Sequence, residues 1–213
     1  MRELNISIAN ENHYCYASEI CEVISDSAKV RGTGIARRTS GYIATKIRNG
    51  NAIIALYKGK FAGFCYIEVW SHGKYVAHSG LIVHPNFRNI GLAKRIKEFT
   101  FEYSLKKYPK AKIFGITTGL AVMKINSDLG YKPVTFSELT EDTGFWKGCK
   151  TCTNYDILVK KEYKMCLCTG MLYNPENKEN KKYKWFDKKV LRRLKKIKQT
   201  MLDNNKQLLL WKK

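Results

Sequence analysis

Apolar residues recur at helical spacing early in the chain. Ala17, Ile20, Cys21, Ile24 and Ala28 fall on one face, and the spacing predicts a helix over 14–29. Ahead of it, Asn5-Ile6-Ser7-Ile8-Ala9 alternates and predicts a first strand. Residues 30–39 carry Gly32, Gly34 and three arginines, a loop composition, and a second helix is expected over 40–48, ending before Gly50. The pattern then turns β-rich. Three strands are expected at 52–57, 61–70 and 75–83, separated by the turns Lys58-Gly59-Lys60 and Ser71-His72-Gly73-Lys74. A helix over 91–108, a strand over 112–118 and a short helix over 121–129 follow, with Gly130 as the C-cap of the last. Another strand is expected near Pro133, and 154–159 with 165–173 predict a closing hairpin. The order is β-α-α-β-β-β-α-β-α-β with a late hairpin: an α/β chain (α+β, mixed sheet) with one parallel crossover through the 91–108 helix.

Length and composition narrow this picture. The 213 residues suffice for one well-buried domain plus an appendage. A hydrophobic content of 44% excludes wholesale disorder, and no apolar run approaches the ~18–20 residues of a membrane span. The first residues lack the basic-then-apolar layout of a signal peptide, and the seven cysteines, several inside apolar runs, fit a reducing cytoplasm.

Charge divides the chain. Residues 175–213 hold 14 of the 39 basic and 4 of the 18 acidic residues, so a net +10 of the total +21 sits there. We therefore expect a domain over 1–174 and a basic extension over 175–213, with 175–182 as a polar linker. Asp187 is expected to N-cap a helix with Val190, Leu191, Leu194, Ile197, Met201 and Leu202 on one face. That apolar face fits docking on the body or a homodimer through the C-terminal helix better than contact with nucleic acid or membrane.

The stretch that carries most chemistry is Leu81-Ile82-Val83-His84-Pro85-Asn86-Phe87-Arg88-Asn89-Ile90-Gly91-Leu92-Ala93. A strand, a short loop and a glycine at a helix start point backbone N–H groups and the positive helix end at one spot, which suits phosphate. Gly91 and Ala93 leave room for close approach, and Arg88 offers a charge-assisted contact. By itself such a turn is weak evidence, since glycine also opens ordinary helices. With Val83, Pro85, Arg88, Gly91 and Ala93 in place, however, the run resembles motif A of the GNAT (Gcn5-related N-acetyltransferase) superfamily. The order of elements over 1 to about 173 is similar too, and the 112–118 strand with the helix ending Leu129-Gly130-Tyr131 resembles the family's motif B.

The resemblance implies a GNAT-like acyl-CoA N-acyltransferase fold, followed here by a C-terminal basic helical extension that it does not cover. It implies acyl-CoA in a splay between the strands 75–83 and 112–118. The backbone of Leu81, Ile82 and Val83 would hold the pantetheine, and Arg88, Asn89, Ile90, Gly91, Leu92 and Ala93 the pyrophosphate. A primary amine would attack the thioester directly. Many relatives place a tyrosine four residues before the glycine that ends the motif B helix, as general acid for the leaving thiolate. Here that position is Asn126, which can donate a hydrogen bond but cannot deliver a proton. Either the thiolate leaves unprotonated, or another residue such as Tyr131 serves.

For the base, a symmetric Trp70–Tyr75 turn sets Glu68 opposite Ala77 and Tyr66 opposite Ser79, on the face where relatives place their bases. Glu68 is thus the candidate base, and Tyr66 a substrate contact. His78 would face the other way, as a hydrogen-bonded core histidine. A β-bulge would reverse the assignment. Arg31 and Arg37 in the glycine-flexible loop suit a carboxylate, and Thr117 and Thr118 add hydroxyls. An acidic amino acid such as glutamate is the expected acceptor, against the plainer reading of an exposed basic loop.

Cys149-Lys150-Thr151-Cys152 and Cys166-Leu167-Cys168 invite a zinc reading. The expected hairpin, though, sets Cys152 about 10 Å from its would-be partners at ~3.3 Å per residue, so no metal is expected. The function expected is an N-acetyltransferase using acetyl-CoA, or another acyl-CoA such as succinyl-CoA, on a small-molecule amine. The alternatives are a GNAT-like module without chemistry that uses its basic tail for RNA or a protein partner, and a protein N-acetyltransferase.

Overall fold

A computed structural model describes residues 3–31 and 36–177, with the backbone alone at Arg31. Seven strands form one sheet: β1 (Leu4–Ile8), β2 (Ala52–Tyr57), β3 (Lys60–Trp70), β4 (Tyr75–Val83), β5 (Lys112–Thr117), β6 (Lys132–Val134) and β7 (Thr169–Tyr173). Their order across the sheet is β1-β2-β3-β4-β5-β7-β6. Every pairing is antiparallel except β4 with β5, which is parallel and is joined by the helix α3 introduced below. Parallel neighbours need such a crossover, and this one delivers the phosphate-suited turn to the end of β4.

Both faces of the sheet are buried, and away from the bulges alternation assigns neighbouring residues to opposite faces. On one face α1 (Ala17–Arg31) and α2 (Ser40–Arg48) bring Ile20, Ile24, Ile43 and Ile47 onto Ile54, Phe64 and Tyr66. Next along that face, α5 (Thr143–Lys147) and α6 (Tyr155–Lys160) bring Phe145, Trp146 and Leu158 onto Ala77 and Phe114. On the other face α3 (Leu92–Lys107) covers Ile53, Cys65, Ile67, Val76 and Ile113 with Leu92, Ile96 and Phe101. Ile53/Ile54, Cys65/Tyr66, Val76/Ala77 and Ile113/Phe114 thus split pairwise between two cores. α4 (Leu120–Asp128) follows β5.

Three expectations need correction. The predicted first helix is a 3-10 turn over Glu11–Tyr16 followed by α1. The closing hairpin does not form: the 154–159 run is in α6, with Leu158 buried, and β7 pairs with β5 and β6 instead. A short apolar run cannot declare its own period, and here the open edge of β5 decided the pairing. Gly130 lies one residue beyond the cap, which is Leu129. Its φ of +92° lets Gly130 N–H donate to Ser127 O (3.0 Å) and Tyr131 N–H to Asn126 O (3.1 Å), a Schellman closure.

The basic segment over 178–213, with its expected helix and dimer contact, lies outside the described residues, as do Gly32, Thr33, Gly34 and Ile35. No helix among the described residues is long and apolar enough to cross a membrane.

Candidate active site

Two local irregularities create the site. β4 and β5 pair only at Tyr75↔Lys112, Val76↔Ile113 and Ala77↔Phe114; from His78 and Gly115 onward no ladder joins them. On the other side of β4, Phe64 faces Ile82 but Tyr66 faces Ser79, so β4 carries one extra residue in a bulge. Gly80 sits there at φ +63°, where a Cβ would collide with the Tyr66 ring. The bulge falls beyond Ser79, so Glu68 still faces Ala77 and Tyr66 faces Ser79, the register the turn predicts.

The parted strands open into a cavity of about 400 Å³. His78, Ser79, Gly80 and Leu81 form one wall and Gly115 to Gly119 the other, with Lys97 of α3 and Val122 and Asn126 of α4 between them. Its far end is lined by Arg38, Tyr42, Lys46, Tyr66 and Glu68, and by Phe145, Gly148 and Cys149 of the α5 region.

Glu68 is the only carboxylate among the described lining residues. Its Oε1 accepts from the Tyr42 hydroxyl (2.5 Å) and from Lys46 Nζ (3.0 Å), and its Oε2 accepts from Ser79 Oγ (3.2 Å). The Glu68 side chain is 11% exposed and that of Lys46 17%, so the pair is shielded and geometrically held. Arg38 Nε donates to the Tyr66 hydroxyl (2.8 Å), and its Nη1 donates to Gly148 O (3.2 Å). The second bond ties the loop before α2 to the end of α5. Burial, with the nearby Tyr66 and Glu68, pushes the Tyr42 hydroxyl far above the usual phenol range, so it stays a donor.

The structure sorts the other expected residues. Thr117, Thr118 and Tyr66 line the cavity. Arg37 is exposed and offers the site only its carbonyl, which accepts from Arg38 Nη1 and Thr151 Oγ1; Arg31's side chain lies outside the described residues. Arg38, Tyr42 and Lys46, which line the far end of the cavity, were not singled out by sequence. Thr39 N-caps α2 and accepts from the Tyr42 N–H, which places these residues around the start of that helix.

Asn126 is buried against the cavity, and its Oδ1 has no hydrogen-bond partner. Tyr131 does not reach the cavity. It is 3% exposed, its hydroxyl lies 3.2 Å from His78 Nδ1, and burial raises its pKa well above the phenol range. His78 is enclosed between that hydroxyl and Ser104 Oγ (2.9 Å), and burial, then Lys97, drives its pKa far down. It is the neutral core histidine that the register implied.

At the phosphate-suited turn, Asn89 and Gly91 adopt φ of +64° and +78°. Gly91 is the N-cap of the 16-residue α3, no side chain caps that end, and a Cβ on Gly91 would meet open space. The first N–H groups of α3 therefore face outward at the positive end of a long helix. Arg88 through Gly91 are exposed. Arg88 Nε donates to Val83 O (3.2 Å) and its Nη2 donates to Ser27 Oγ (3.0 Å), so this guanidinium braces the turn against α1. Leu81 reaches the cavity, while Ile82 and Val83 pack into the two cores.

The cysteines also depart from expectation. Because 155–160 is helical, the segment folds back and Cys149, Cys152 and Cys168 line one wall of the cavity together. Cys168 N–H donates to Cys166 Sγ (3.3 Å) and Asn154 N–H to Cys152 Sγ (3.4 Å). The Cys168 thiol, hydrogen-bonded to Cys166, helps hold the latter down to about 6, whereas burial lifts Cys149 to about 11. All seven thiols are free, and among the described residues no group of three or more His, Cys, Asp or Glu is arranged to hold a metal ion.

The acetyltransferase (GNAT) family model matches residues 33–118, which run from the loop before α2 to the end of β5. No curated protein matches by sequence. Among solved structures, the fold is similar to N-acetylglutamate synthase from Neisseria gonorrhoeae complexed with coenzyme A and N-acetyl-glutamate (TM-score 0.60, 13% identity, 82% of this chain). This chain spans only 35% of that protein's length. It is also similar to a Mycobacterium tuberculosis protein in complex with CoA (0.59, 13%, covering 80% of this chain and 98% of that one). An acetyltransferase from Streptococcus agalactiae is comparable (0.59, 13%, 82% and 99%).

Proposed function

We propose, from the GNAT family match over residues 33–118 and the geometry of the site, that the chain is an acyl-CoA-dependent N-acyltransferase acting on the primary amine of a small acidic acceptor. The observation that carries this reading is the opening between β4 and β5, which leads to a chamber lined by Arg38 and Lys46, while β4 itself runs on through a short turn to the uncapped start of α3. Acyl-CoA fits the first part. Pyrophosphate suits the exposed N–H groups of α3 and the open space at Gly91, and the unpartnered Asn126 Oδ1 can accept from a pantetheine amide. The free strand edges offer backbone partners for the rest of that arm.

An acidic acceptor fits the second part. Arg38 and Lys46 line the far end of the cavity, where Glu68 is the one carboxylate among the described lining residues. An anion there gains charge-assisted bonds, whereas a polycationic acceptor would meet repulsion. Glutamate is the compound we nominate, with acetyl-CoA or succinyl-CoA as donor. The amine reaches the enzyme protonated at neutral pH and must lose that proton before it attacks. Glu68 is our candidate base, held in place by Tyr42, Lys46 and Ser79.

A thiol-release assay of glutamate, other amino acids and polyamines, with acetyl-CoA and succinyl-CoA as donors, tests the proposal. Turnover is expected with an acidic amino acid. Turnover confined to polyamines, or to peptide N-termini, would replace the acceptor, and absence of acyl-CoA binding by calorimetry would remove the enzyme reading altogether.

A further inference from the structure

Direct transfer leaves one demand unmet by the residues described so far: the departing thiolate needs a proton or a positive partner. Asn126 has no acidic proton to give, and Tyr131 is walled off behind His78. Lys97 has what they lack. It sits on the inner stripe of α3 among Ile96, Thr100, Phe101 and Ser104 and is only 3% exposed, yet it lines the cavity where β4 and β5 part.

Buried lysines are ordinarily paired with a carboxylate. Here Nζ lies over the Tyr131 ring, 5.1 Å from its centre, and among the described residues no carboxylate or hydrogen-bond acceptor holds it. The titratable groups around it are Cys65 of β3, His78 of β4 and Tyr131. Burial keeps all three uncharged, so none supplies an anion. Asn126 Oδ1, unpartnered in the same cavity, stands on the opposite helix. An unpaired cation and an unpaired acceptor facing one space describe a ligand with an anionic atom next to an amide.

Resting on the acyltransferase reading above, we propose that Lys97 is the catalytic acid that meets the leaving sulfur of the acyl-CoA. The attacking amine forms the C–N bond with its lone pair, the C–S bond breaks with its pair going to sulfur, and Nζ gives one proton to that thiolate. The products are the amide and the CoA thiol. Neutral Lys97 then regains a proton, balancing the one the acceptor ammonium gave up to Glu68. Desolvation brings the Lys97 ammonium down to about 8, close to an ordinary thiol near 8.5, which is where proton transfer between the two is most responsive.

The test uses the intact chain, Lys97→Met and Lys97→Gln, with CoA itself as probe. The thiol of bound CoA is titrated by its thiolate ultraviolet absorbance, with the desulfo-CoA complex of the same variant as blank, and CoA affinity is measured by calorimetry. Bound to the wild type, the CoA thiol is expected to ionise roughly tenfold or more readily than free CoA. In both variants it should lose that advantage, with CoA still bound and the fold intact by thermal melting. Identical ionisation in all three proteins would overturn the proposal. So would loss of CoA binding in both variants, which would make Lys97 a binding contact. Failure of the wild type to bind CoA would overturn the acyltransferase reading itself and this assignment with it.

Discussion

Lys97 also makes a prediction about stability that needs no acceptor. Its pKa falls from 10.5 to about 8 on burial, which corresponds to roughly 3 kcal/mol lost from the folded state while the lysine is charged. Lys97→Met keeps the four-atom stem and removes the ammonium, so it should raise the stability of the ligand-free protein by about 2–3 kcal/mol at pH 7. For a chain of this length that is a melting shift of about 5–10 °C. The sign follows from proton counting. Between pH 8 and 10.5 the unfolded chain still holds the proton that folded Lys97 has lost, so wild-type stability gains with pH relative to the variant. The advantage of Lys97→Met should therefore be full below pH 8 and fade as the pH approaches 10.5. Urea melts of both proteins at intervals from pH 7 to pH 10.5 measure it, and the difference between them cancels groups they share. A destabilised variant, or a gap that does not change with pH, would refute the reasoning by showing that the ammonium has a partner in the folded state. A substitution that strengthens the fold while removing a catalytic acid would be a trade of stability for chemistry at one buried site.

Three further outcomes follow from the same geometry. Gly91→Val puts a β-branched residue at φ +78°; it should cost about 1–2 kcal/mol and lower acyl-CoA affinity more than tenfold by calorimetry, and unchanged affinity would sink the assignment of the turn. Glu68→Gln should lower kcat by about 10²-fold with acyl-CoA affinity retained. The loss should shrink as the pH rises and the amine deprotonates unaided; a loss of equal size at every pH would exclude Glu68 as base. Cys166, held down to about 6, should be alkylated by iodoacetamide at pH 7 well before Cys65 and Cys149, with its rate falling below pH 6; mass spectrometry of the labelled chain reads the order.

How much of this was legible beforehand depended on the range of the interactions involved. Helix α2 was predicted at about its observed place because the loop glycines before it and Gly50 after it are local signals. The facing of Glu68 with Ala77 and Tyr66 with Ser79 was legible for a related reason. A short turn and a period of two propagate register along a hairpin until a bulge interrupts it, and the bulge lies just past Ser79. The strand, loop and glycine around Arg88 to Ala93 announced a phosphate-suited turn from a single stretch of chain.

What failed, or was missed, depended on partners distant in sequence. The 154–159 run reads equally well as strand or helix, and only the open edge of β5, taken by β7, settled it. That misreading in turn separated cysteines that the folded chain gathers on one wall. Arg37 and Arg38 are indistinguishable in sequence, and their opposite fates follow from the bond of Arg38 to Tyr66, 28 positions away. Lys97 left one faint trace, a lysine on the apolar stripe it shares with Ile96, Thr100, Phe101 and Ser104. A lone lysine there usually extends its stem and reaches water. The sequence by itself determined most of the elements before residue 135, the register of the 61–83 hairpin and the turn, because each rests on neighbours a few residues away. Only the tertiary structure decided which cations enter the cavity, because burial depends on what the sheet and the opposite helix place around them.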